Sequence, residues 1–265
     1  MRIVRFLNDS ENVCFGCDYK DGKAILLEGD IFGKPVVTNK KVSVKKLLSP
    51  VDPSAILCIG LNYREHFKET GMREPDVPVV FMKNPASVTG HEADIILPAS
   101  CRDPLQVDYE IELAIVIGKR AKNVAQYEAL KYVAGYTVAN DVSARTWQLK
   151  GGGHQWIRGK SFDTFCPLGP ELVMTDEKID PDNLDISCRL NGELMQKGNT
   201  SDMIFSIRKL VSFLSEDTTL LPGTVILTGT PSGVGFTRNP PVFLKPGDRL
   251  ELTIENIGTL VNMVR

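Results

Sequence analysis

The chain has 265 residues, of which 42% are hydrophobic and 24% are charged, and its formal net charge is −2. This length fits one large domain, or a large domain with a small appendage, and the near-neutral charge gives no basic field that would attract nucleic acid. No apolar run in the sequence approaches the length of a membrane span, so we expect neither a nucleic-acid nor a membrane partner.

Residues 1–50 have the pattern of short strands joined by turns, seen in RIVRFL, NVCFGC and KAILLEG. The following stretch, NKKVSVKKLLSPVDPS, is basic and ends in two prolines, which predicts a linker with a short helix. We therefore divide the chain into a small N-terminal β unit with its linker at 1–50 and a catalytic domain at 51–265. The start lacks a signal-peptide apolar region, and Asp9 and Glu11 are unlike an organelle transit peptide, so we expect a cytoplasmic protein.

From residue 55 onwards the apolar density is high, and short strands outnumber helices. The strand candidates are VPVVFMK, ADIILP, IELAIVIG, VAGYTVAN, ISCRLNG, TVILTG, PPVFL and RLELTIENIG. The helix candidates are 62–70, about 125–131, a turn or two after Asp141, and 206–217. The Asn-Gly pair in LNGELMQ predicts a hairpin. The fold class is therefore α+β, mainly β with short helices.

Carboxylates cluster in VDYEIELAIVIGKR. In a strand, Asp108, Glu110 and Glu112 lie on one face, and the strand then becomes apolar on both faces as it enters the core. Buried carboxylates that share a face repel one another, which raises their pKa values or demands a cation. An exposed strand end with nearby lysines explains the same spacing equally well.

A third acid, Asp141, ends the apolar stretch YVAGYTVAN. Two glutamates on one strand and an aspartate on a neighbour suit Mg²⁺ or Mn²⁺, and they suit zinc poorly because no His or Cys accompanies them. Arg145 and Gln148 follow Asp141 at i+4 and i+7, so in a helix all three would share one face. A cation, a guanidinium and an amide at one place would bind an anionic substrate. The alternative is a helix that Asp141 caps, followed by an exposed arginine.

Seven segments, taken together and in order, resemble the fumarylacetoacetate hydrolase family, and specifically its acylpyruvase-like and domain-containing protein 2-like members. They are GLNYREHFKE, DYEIELAIVIGKR, GYTVANDVSAR, GKSFDTFCPLGP, NGELMQKGNTSDMIF, VILTGTPSGVG and PPVFLKPGD. The resemblance implies a mixed β-roll around a divalent metal ion, in a homodimer. It implies Glu110, Glu112 and Asp141 as the metal ligands, with Asp108 as a neighbour.

The resemblance also implies roles for six further residues. His66 and Glu69 would be the catalytic dyad, Lys160 a substrate or enolate contact, and Arg145, Gln148 and Thr230 the substrate-binding residues.

The dyad falls in NYREHFKE, which predicts a short helix. Asn62 can cap this helix with Glu65 as its capping-box partner, which leaves His66 and Glu69 on one face at i and i+3. Glu69 can then orient the imidazole, which can activate water or move a proton. Without the resemblance, the pair would be interpreted as an exposed helical contact.

These residues predict a Mg²⁺-dependent (or Mn²⁺-dependent) enzyme that acts on a small anionic 2-oxo acid through a metal-stabilised enolate. Our first choice is hydrolysis of a carbon–carbon bond in an acylpyruvate or fumarylacetoacetate-type substrate. The alternative is keto–enol tautomerisation or decarboxylation of oxaloacetate, or isomerisation of a 2-hydroxyhepta-2,4-diene-1,7-dioate-type substrate. A non-catalytic ligand-binding protein is a more remote alternative, because the dyad, the lysine and the three acids are all present.

Overall fold

The structure is a computed structural model, and it describes residues 1–71, 73–150, 153–175 and 179–265. Strands dominate these residues, and the helices are short, so the predicted fold class is confirmed. No helix in the described ranges is long and apolar enough to cross a membrane.

The N-terminal part consists of antiparallel strands, each paired with its neighbour along the chain or with β1. They are β1 (Arg2–Leu7), β2 (Val13–Lys20), β3 (Lys23–Glu28), β4 (Val36–Ser43) and β5 (Lys46–Leu47). The predicted linker helix is wrong, because β4 and β5 occupy this basic stretch. The lysines of β4 are exposed at the edge of the sheet, where charged side chains suit an edge strand.

The rest of the chain adds further strands and helices. The strands are β6 (Ala55–Gly60), β7 (Val79–Lys83), β8 (Val88–Thr89), β9 (Asp94–Ile95), β10 (Val107–Asp108), β11 (Ile111–Ile117), β12 (Val133–Asn140), β13 (Ser143–Ala144), β14 (Cys166–Met174), β15 (Asp185–Leu190), β16 (Glu193–Asn199), β17 (Thr224–Leu227), β18 (Arg249–Ile254) and β19 (Gly258–Val264). The α-helices are α1 (Arg64–Thr70), α2 (Arg145–Leu149), α3 (Trp156–Lys160) and α4 (Ile207–Ser215). Short 3₁₀ helices span Pro85–Ser87, Ala99–Cys101, Gln126–Tyr132, Thr200–Asp202 and Gly235–Thr237.

One large sheet runs through the described chain in the order β4-β3-β2-β1-β14-β12-β11-β17-β6-β7, with β5 and β8 paired to its side. Because β1 pairs with β14, the N-terminal strands continue the sheet of the larger part. The division of the chain at residue 50 stays a prediction. At the centre, β11 and β12 are buried along their whole lengths, as expected for strands covered on both faces.

A second sheet has the order β16-β15-β18-β19-β9. The predicted hairpin is confirmed there: Asn191 and Gly192 join β15 to β16, and both have the positive φ that this tight turn requires. The stretch PPVFL is not a strand, so that prediction is wrong, and β14 was not predicted. Helix α4 begins after Ser206, whose side chain accepts a hydrogen bond from the Lys209 amide, as a cap should.

Candidate active site

Three carboxylates come together at the ends of the two central strands. Glu110 immediately precedes β11, Glu112 lies within it, and Asp141 immediately follows β12. The antiparallel register sets Ile111 opposite Asn140, and the Asp141 amide donates to the Glu110 carbonyl oxygen at 2.9 Å. One carboxylate oxygen from each of the three acids lies within 4.8 Å of the others. All three acids are buried, so the exposed strand end considered as an alternative is excluded.

The electrostatics of this acid trio differ from one member to the next. Burial alone would raise the pKa of Glu110, but the charges of Lys160 and Arg145 outweigh it and lower this pKa to about 2. Burial raises the pKa of Glu112 well above its usual range, and the negative charges of Asp141 and Glu110 raise it further. Ionisation of all three acids at once is therefore unfavourable unless a further cation joins them. Buried oxygen donors of this kind fit a hard divalent cation, so the trio could hold a metal ion.

Two buried lysines flank Asp141. Lys160, the last residue of α3, places its Nζ 2.6 Å from Asp141 Oδ2 and 3.0 Å from Glu110 Oε2. Lys83, the last residue of β7, places its Nζ 2.5 Å from Asp141 Oδ1 and donates to the Val142 carbonyl oxygen at 3.2 Å. Each carboxylate oxygen of Asp141 thus has its own ammonium group.

The sequence analysis missed Lys83, although a signal for it exists. In the strand VVFMK, Lys83 shares a face with Val79 and Phe81, which are less exposed than the residues between them. A lysine on the inward face of a strand is costly unless it is paired, so its partner must be a buried acid.

Replacing Lys83 with methionine should lower the free energy of unfolding by about 3–5 kcal/mol, because it leaves Asp141 with an uncompensated buried oxygen. The control is Lys45→Met, which removes an exposed pair with Glu11 and should have a much smaller effect, because exposed ion pairs contribute little to stability. Urea unfolding of both variants measures the difference. If both variants lost the same free energy of unfolding, the buried pair would contribute no more to stability than the exposed one.

Arg145, the first residue of α2, is held by two carboxylates. Its Nη1 lies 2.6 Å from Glu110 Oε1, and its Nε donates to Asp108 Oδ2 at 2.9 Å. Nη1 also donates to Gln148 Oε1 at 2.8 Å, and the guanidinium lies over the Phe236 ring at 4.4 Å. Burial lowers the pKa of Arg145, but the two carboxylates outweigh it and raise this pKa, so the residue is a fixed cation.

Asp141 does not share a helix face with Arg145 and Gln148, because α2 begins only at Arg145. That part of the sequence prediction is wrong. The short strand β13 intervenes, pairing with β10 and drawing Asp141 back towards Glu110. Asp108 lies outside the acid trio, and its two oxygens accept the amides of Tyr109, Gly235 and Phe236.

The predicted dyad is in contact. His66 Nδ1 and Glu69 Oε1 are 2.8 Å apart on α1, and His66 is buried. Glu69 also accepts the Gly233 amide at 2.9 Å and the Thr237 hydroxyl at 3.3 Å. Since an ionised carboxylate can only accept, Nδ1 carries the hydrogen and Nε2 is left with a free lone pair. His66 can therefore take up a proton at Nε2, while Glu69 balances the resulting charge.

The start of α1 differs from the prediction. Tyr63 is the N-cap residue and its own side chain makes no capping hydrogen bond, so the capping box of Asn62 and Glu65 is wrong. The Glu65 amide donates instead to Asp202 Oδ2 at 3.2 Å. Asn62 is used elsewhere: its amide donates to the carbonyl oxygens of Phe205 and Thr228 and accepts the Phe205 amide. It ties the base of α1 to the body of the protein instead.

One cleft brings these groups together. Its polar lining residues are His66, Thr70, Glu110, Glu112, Arg145, Gln148, Lys160 and Thr230, and its apolar ones include Ile59, Phe81, Leu149, Trp156 and Phe236. Seven of the nine predicted site residues therefore line one cleft. The other two, Glu69 and Asp141, contact His66 and Lys160 directly. Their roles in catalysis stay predictions.

Two family models match the chain. Residues 55–265 match the fumarylacetoacetate (FAA) hydrolase C-terminal family, and residues 1–50 match the Rv2993c-like, N-terminal family.

Similar proteins are known from several organisms. The chain is 48% identical over 240 residues to a fumarylacetoacetate hydrolase domain-containing protein 2 homologue of Dictyostelium discoideum, covering 86% of this chain and 78% of that one. It is 47% identical over 231 residues to the mitochondrial oxaloacetate tautomerase of Homo sapiens, covering 87% and 72%. Among solved structures, a 5-carboxymethyl-2-hydroxymuconate delta-isomerase from Mycobacterium smegmatis is 39% identical, with a TM-score of 0.86 over 100% of this chain and 99% of that one.

The prediction of a cytoplasmic protein is wrong on this comparison, because the similar tautomerase of Homo sapiens is mitochondrial. The prediction rested partly on the early acids Asp9 and Glu11. These two residues lie in the exposed turn between β1 and β2, so their charge reflects a surface turn of the folded chain and carries no information on location.

Proposed function

The chain belongs to the fumarylacetoacetate hydrolase family of enzymes, and we propose that it interconverts the keto and enol forms of oxaloacetate. The observation that carries this proposal is the His66–Glu69 pair, because His66 lines the same cleft as Lys160 and two members of the acid trio. A proton acceptor and a cation in one cleft are what a keto–enol exchange requires. The similar proteins named as a tautomerase and an isomerase favour this alternative over our first choice, carbon–carbon hydrolysis.

Mg²⁺ or Mn²⁺ is the cofactor that we propose for the acid trio. The set of three carboxylates fits these hard cations, and no His or Cys belongs to it. When bound, the cation would supply positive charge for the substrate's carboxylate and for the keto oxygen as it becomes an enolate.

The proton transfer itself falls to residues of the chain. His66 Nε2 takes a proton from the methylene carbon beside the keto group, and the electron pair of the carbon–hydrogen bond moves to the keto oxygen. The ammonium of Lys160 balances the charge that develops there. The imidazolium of His66 then gives its proton to that oxygen, which completes the enol and restores the neutral imidazole, so no atom is gained or lost. The homodimer implied by the family resemblance stays a prediction.

Substrate binding falls to Gln148 and Thr230 more than the sequence suggested. Arg145 is already engaged by Asp108 and Glu110, so it supports the site electrostatically and orients Gln148. The Gln148 carbonyl oxygen accepts from Arg145, and its amide hydrogens have no partner among the described residues, so they can donate to a substrate carboxylate.

The test compares three activities of the protein supplied with Mg²⁺. Oxaloacetate freshly dissolved as its enol is followed by its ultraviolet absorbance, and pyruvate release is followed from oxaloacetate and from acetylpyruvate. We expect enol loss well above the buffer rate and much slower pyruvate release from either substrate. Enol loss at the buffer rate, or faster hydrolysis of acetylpyruvate, would contradict the proposal.

A further inference from the structure

Gln196 links the strand of the acid trio to the cleft, although it does not line the cleft itself. It lies on β16 and is 1% exposed. Its Oε1 accepts the Ile111 amide at 3.1 Å, and its Nε2 donates to Thr230 Oγ at 2.8 Å and to the Pro231 carbonyl oxygen at 2.8 Å. Ile111 lies between Glu110 and Glu112, so this side chain ties the Thr230 loop to the acids.

The surroundings fix which way the amide points. A backbone N–H on one side requires the Gln196 oxygen, and the carbonyl of Pro231 on the other side requires the NH₂ group. The reverse orientation would set oxygen against oxygen and N–H against N–H. Both amide hydrogens are therefore committed, one of them to Thr230.

This arrangement decides how Thr230 can act. Because its Oγ accepts a hydrogen from Gln196, its own hydrogen must go elsewhere. Within the described residues, Thr230 Oγ makes no second hydrogen bond, and the residue lines the cleft. The hydroxyl is thus polarised to donate towards whatever occupies the cleft.

We propose that Gln196 is a positioning residue that fixes the Thr230 hydroxyl as a hydrogen-bond donor to a carboxylate oxygen of the substrate. The proposal rests on the proposed function, which places a small dicarboxylate in this cleft. It adds a residue outside the cleft that sets the polarity of a group inside it. It also explains why a glutamine is buried here, where an apolar residue would avoid the cost of burying an amide.

A double-mutant cycle on oxalate binding tests the pair. Oxalate is an unreactive dicarboxylate, and its affinity is measured by calorimetry on the Mg²⁺-loaded protein. Thr230→Val should raise its Kd by about 10–100-fold, the usual cost of losing a hydrogen bond to a charged group. Gln196→Met should raise Kd by about tenfold, because the freed hydroxyl can then turn to the Pro231 carbonyl oxygen. The double variant should bind no more weakly than Thr230→Val alone, within about twofold.

Two further variants separate polarity from packing. Thr230→Ser keeps the hydroxyl and should keep the affinity. Gln196→Glu has nearly the same shape, but its carboxylate would accept the hydroxyl hydrogen of Thr230 and turn the donor away from the substrate. Gln196→Glu should therefore bind oxalate more weakly than Gln196→Met. If Gln196 had only a packing role, Gln196→Glu would have the smaller effect on Kd, because its shape is closer to that of glutamine. Gln126→Met, at an exposed position, is the control.

The outcomes are distinguishable from those of the activity assay. The role of Gln196 would be overturned if Gln196→Met left the Kd for oxalate unchanged. It would also be overturned if the fold-changes in Kd of the two single variants multiplied in the double variant, even if the protein is a tautomerase. If the cycle is coupled as expected but oxaloacetate is not equilibrated, the role of Gln196 stands and the proposed reaction fails. In the active enzyme, Gln196→Met should raise KM for oxaloacetate more than it lowers kcat.

Discussion

Replacing His66 with asparagine is expected to lower kcat/KM for oxaloacetate tautomerisation by about 10²–10⁴-fold, the usual range for loss of a general acid–base group. The amide of asparagine has no basic nitrogen to accept the proton, whereas the imidazole has one at Nε2. Since Nδ1 is held by Glu69 at 2.8 Å, the substitution removes the Nε2 lone pair that faces the cleft. The measurement is enol loss at saturating and limiting oxaloacetate.

The matched control is His154→Asn, since His154 is exposed and its positive φ suits asparagine. It should retain the parent rate. His66→Asn should still bind Mg²⁺ and oxalate, because His66 is not a proposed ligand of either. A tautomerase rate within about threefold of the parent, far below the usual range, would remove His66 from the mechanism.

Glu69→Gln separates the candidate reactions. Tautomerisation needs a proton mover and no water, so it should fall less in this variant than in His66→Asn. Hydrolysis needs an activated water and a protonated imidazole supported by the Glu69 charge, so it should be nearly abolished. The Gly233 amide and the Thr237 hydroxyl donate hydrogen bonds to Glu69, and the oxygen of a glutamine can still accept from them.

The sequence predicted those parts of the fold that depend on local patterns. The strand β12 and the Asn191–Gly192 hairpin were predicted because a short apolar run and turn chemistry are local signals. The short helix expected within 39–54 was predicted wrongly, because pairing with β3 and β1 makes parts of this stretch strands. A sheet partner distant in sequence is not visible in a pattern of single residues.

The same distinction holds for the site. The nine predicted residues meet in or beside one cleft. They could be predicted as one set because the family resemblance carries information on contacts between distant parts of the chain, which spacing alone lacks. Spacing placed Asp141 on a helix face with Arg145, whereas the β10–β13 pairing turns it towards Glu110. Lys83 and Gln196 were missed because their partners, Asp141 and Thr230, are far along the chain.

Removing one carboxylate from the acid trio should remove divalent-cation binding. Glu112→Gln keeps the shape of the side chain and the bond from the Gly229 amide at 2.6 Å, but it loses the charge. We expect the affinity for Mg²⁺ to fall by more than about 100-fold. Substitution of a residue that only contacts a metal ligand lowers metal affinity by up to about 100-fold, and loss of a ligand should lower it more. In the parent protein, a hundredfold excess of Mg²⁺ over its Kd should add about 2.7 kcal/mol to the free energy of unfolding, and a chelator should reverse it.

The pKa of Glu112 gives this stabilisation a pH dependence. In the cation-free protein, burial and the charges of Asp141 and Glu110 raise this pKa above its unfolded value, so the folded state prefers the protonated carboxyl. The contribution of this protonated carboxyl to the free energy of unfolding is fully present below the unfolded pKa of Glu112, and it is lost as pH rises through the folded pKa. The bound cation requires the ionised carboxylate. The rise in Tm on adding Mg²⁺ should therefore be larger at about pH 8 than at about pH 5, and Glu112→Gln should show no rise at either.

Asp108 supplies the matched control for the trio. It is as deeply buried as the three acids, yet its oxygens are committed to Arg145 and to the amides of Tyr109, Gly235 and Phe236. Asp108→Asn should lower the free energy of unfolding but leave the Mg²⁺ affinity within about tenfold of the parent, the smaller end of an outer-shell effect. Calorimetric titration of Mg²⁺ into both variants makes the comparison, and equal losses would show that the ligand set of the trio is wrongly drawn.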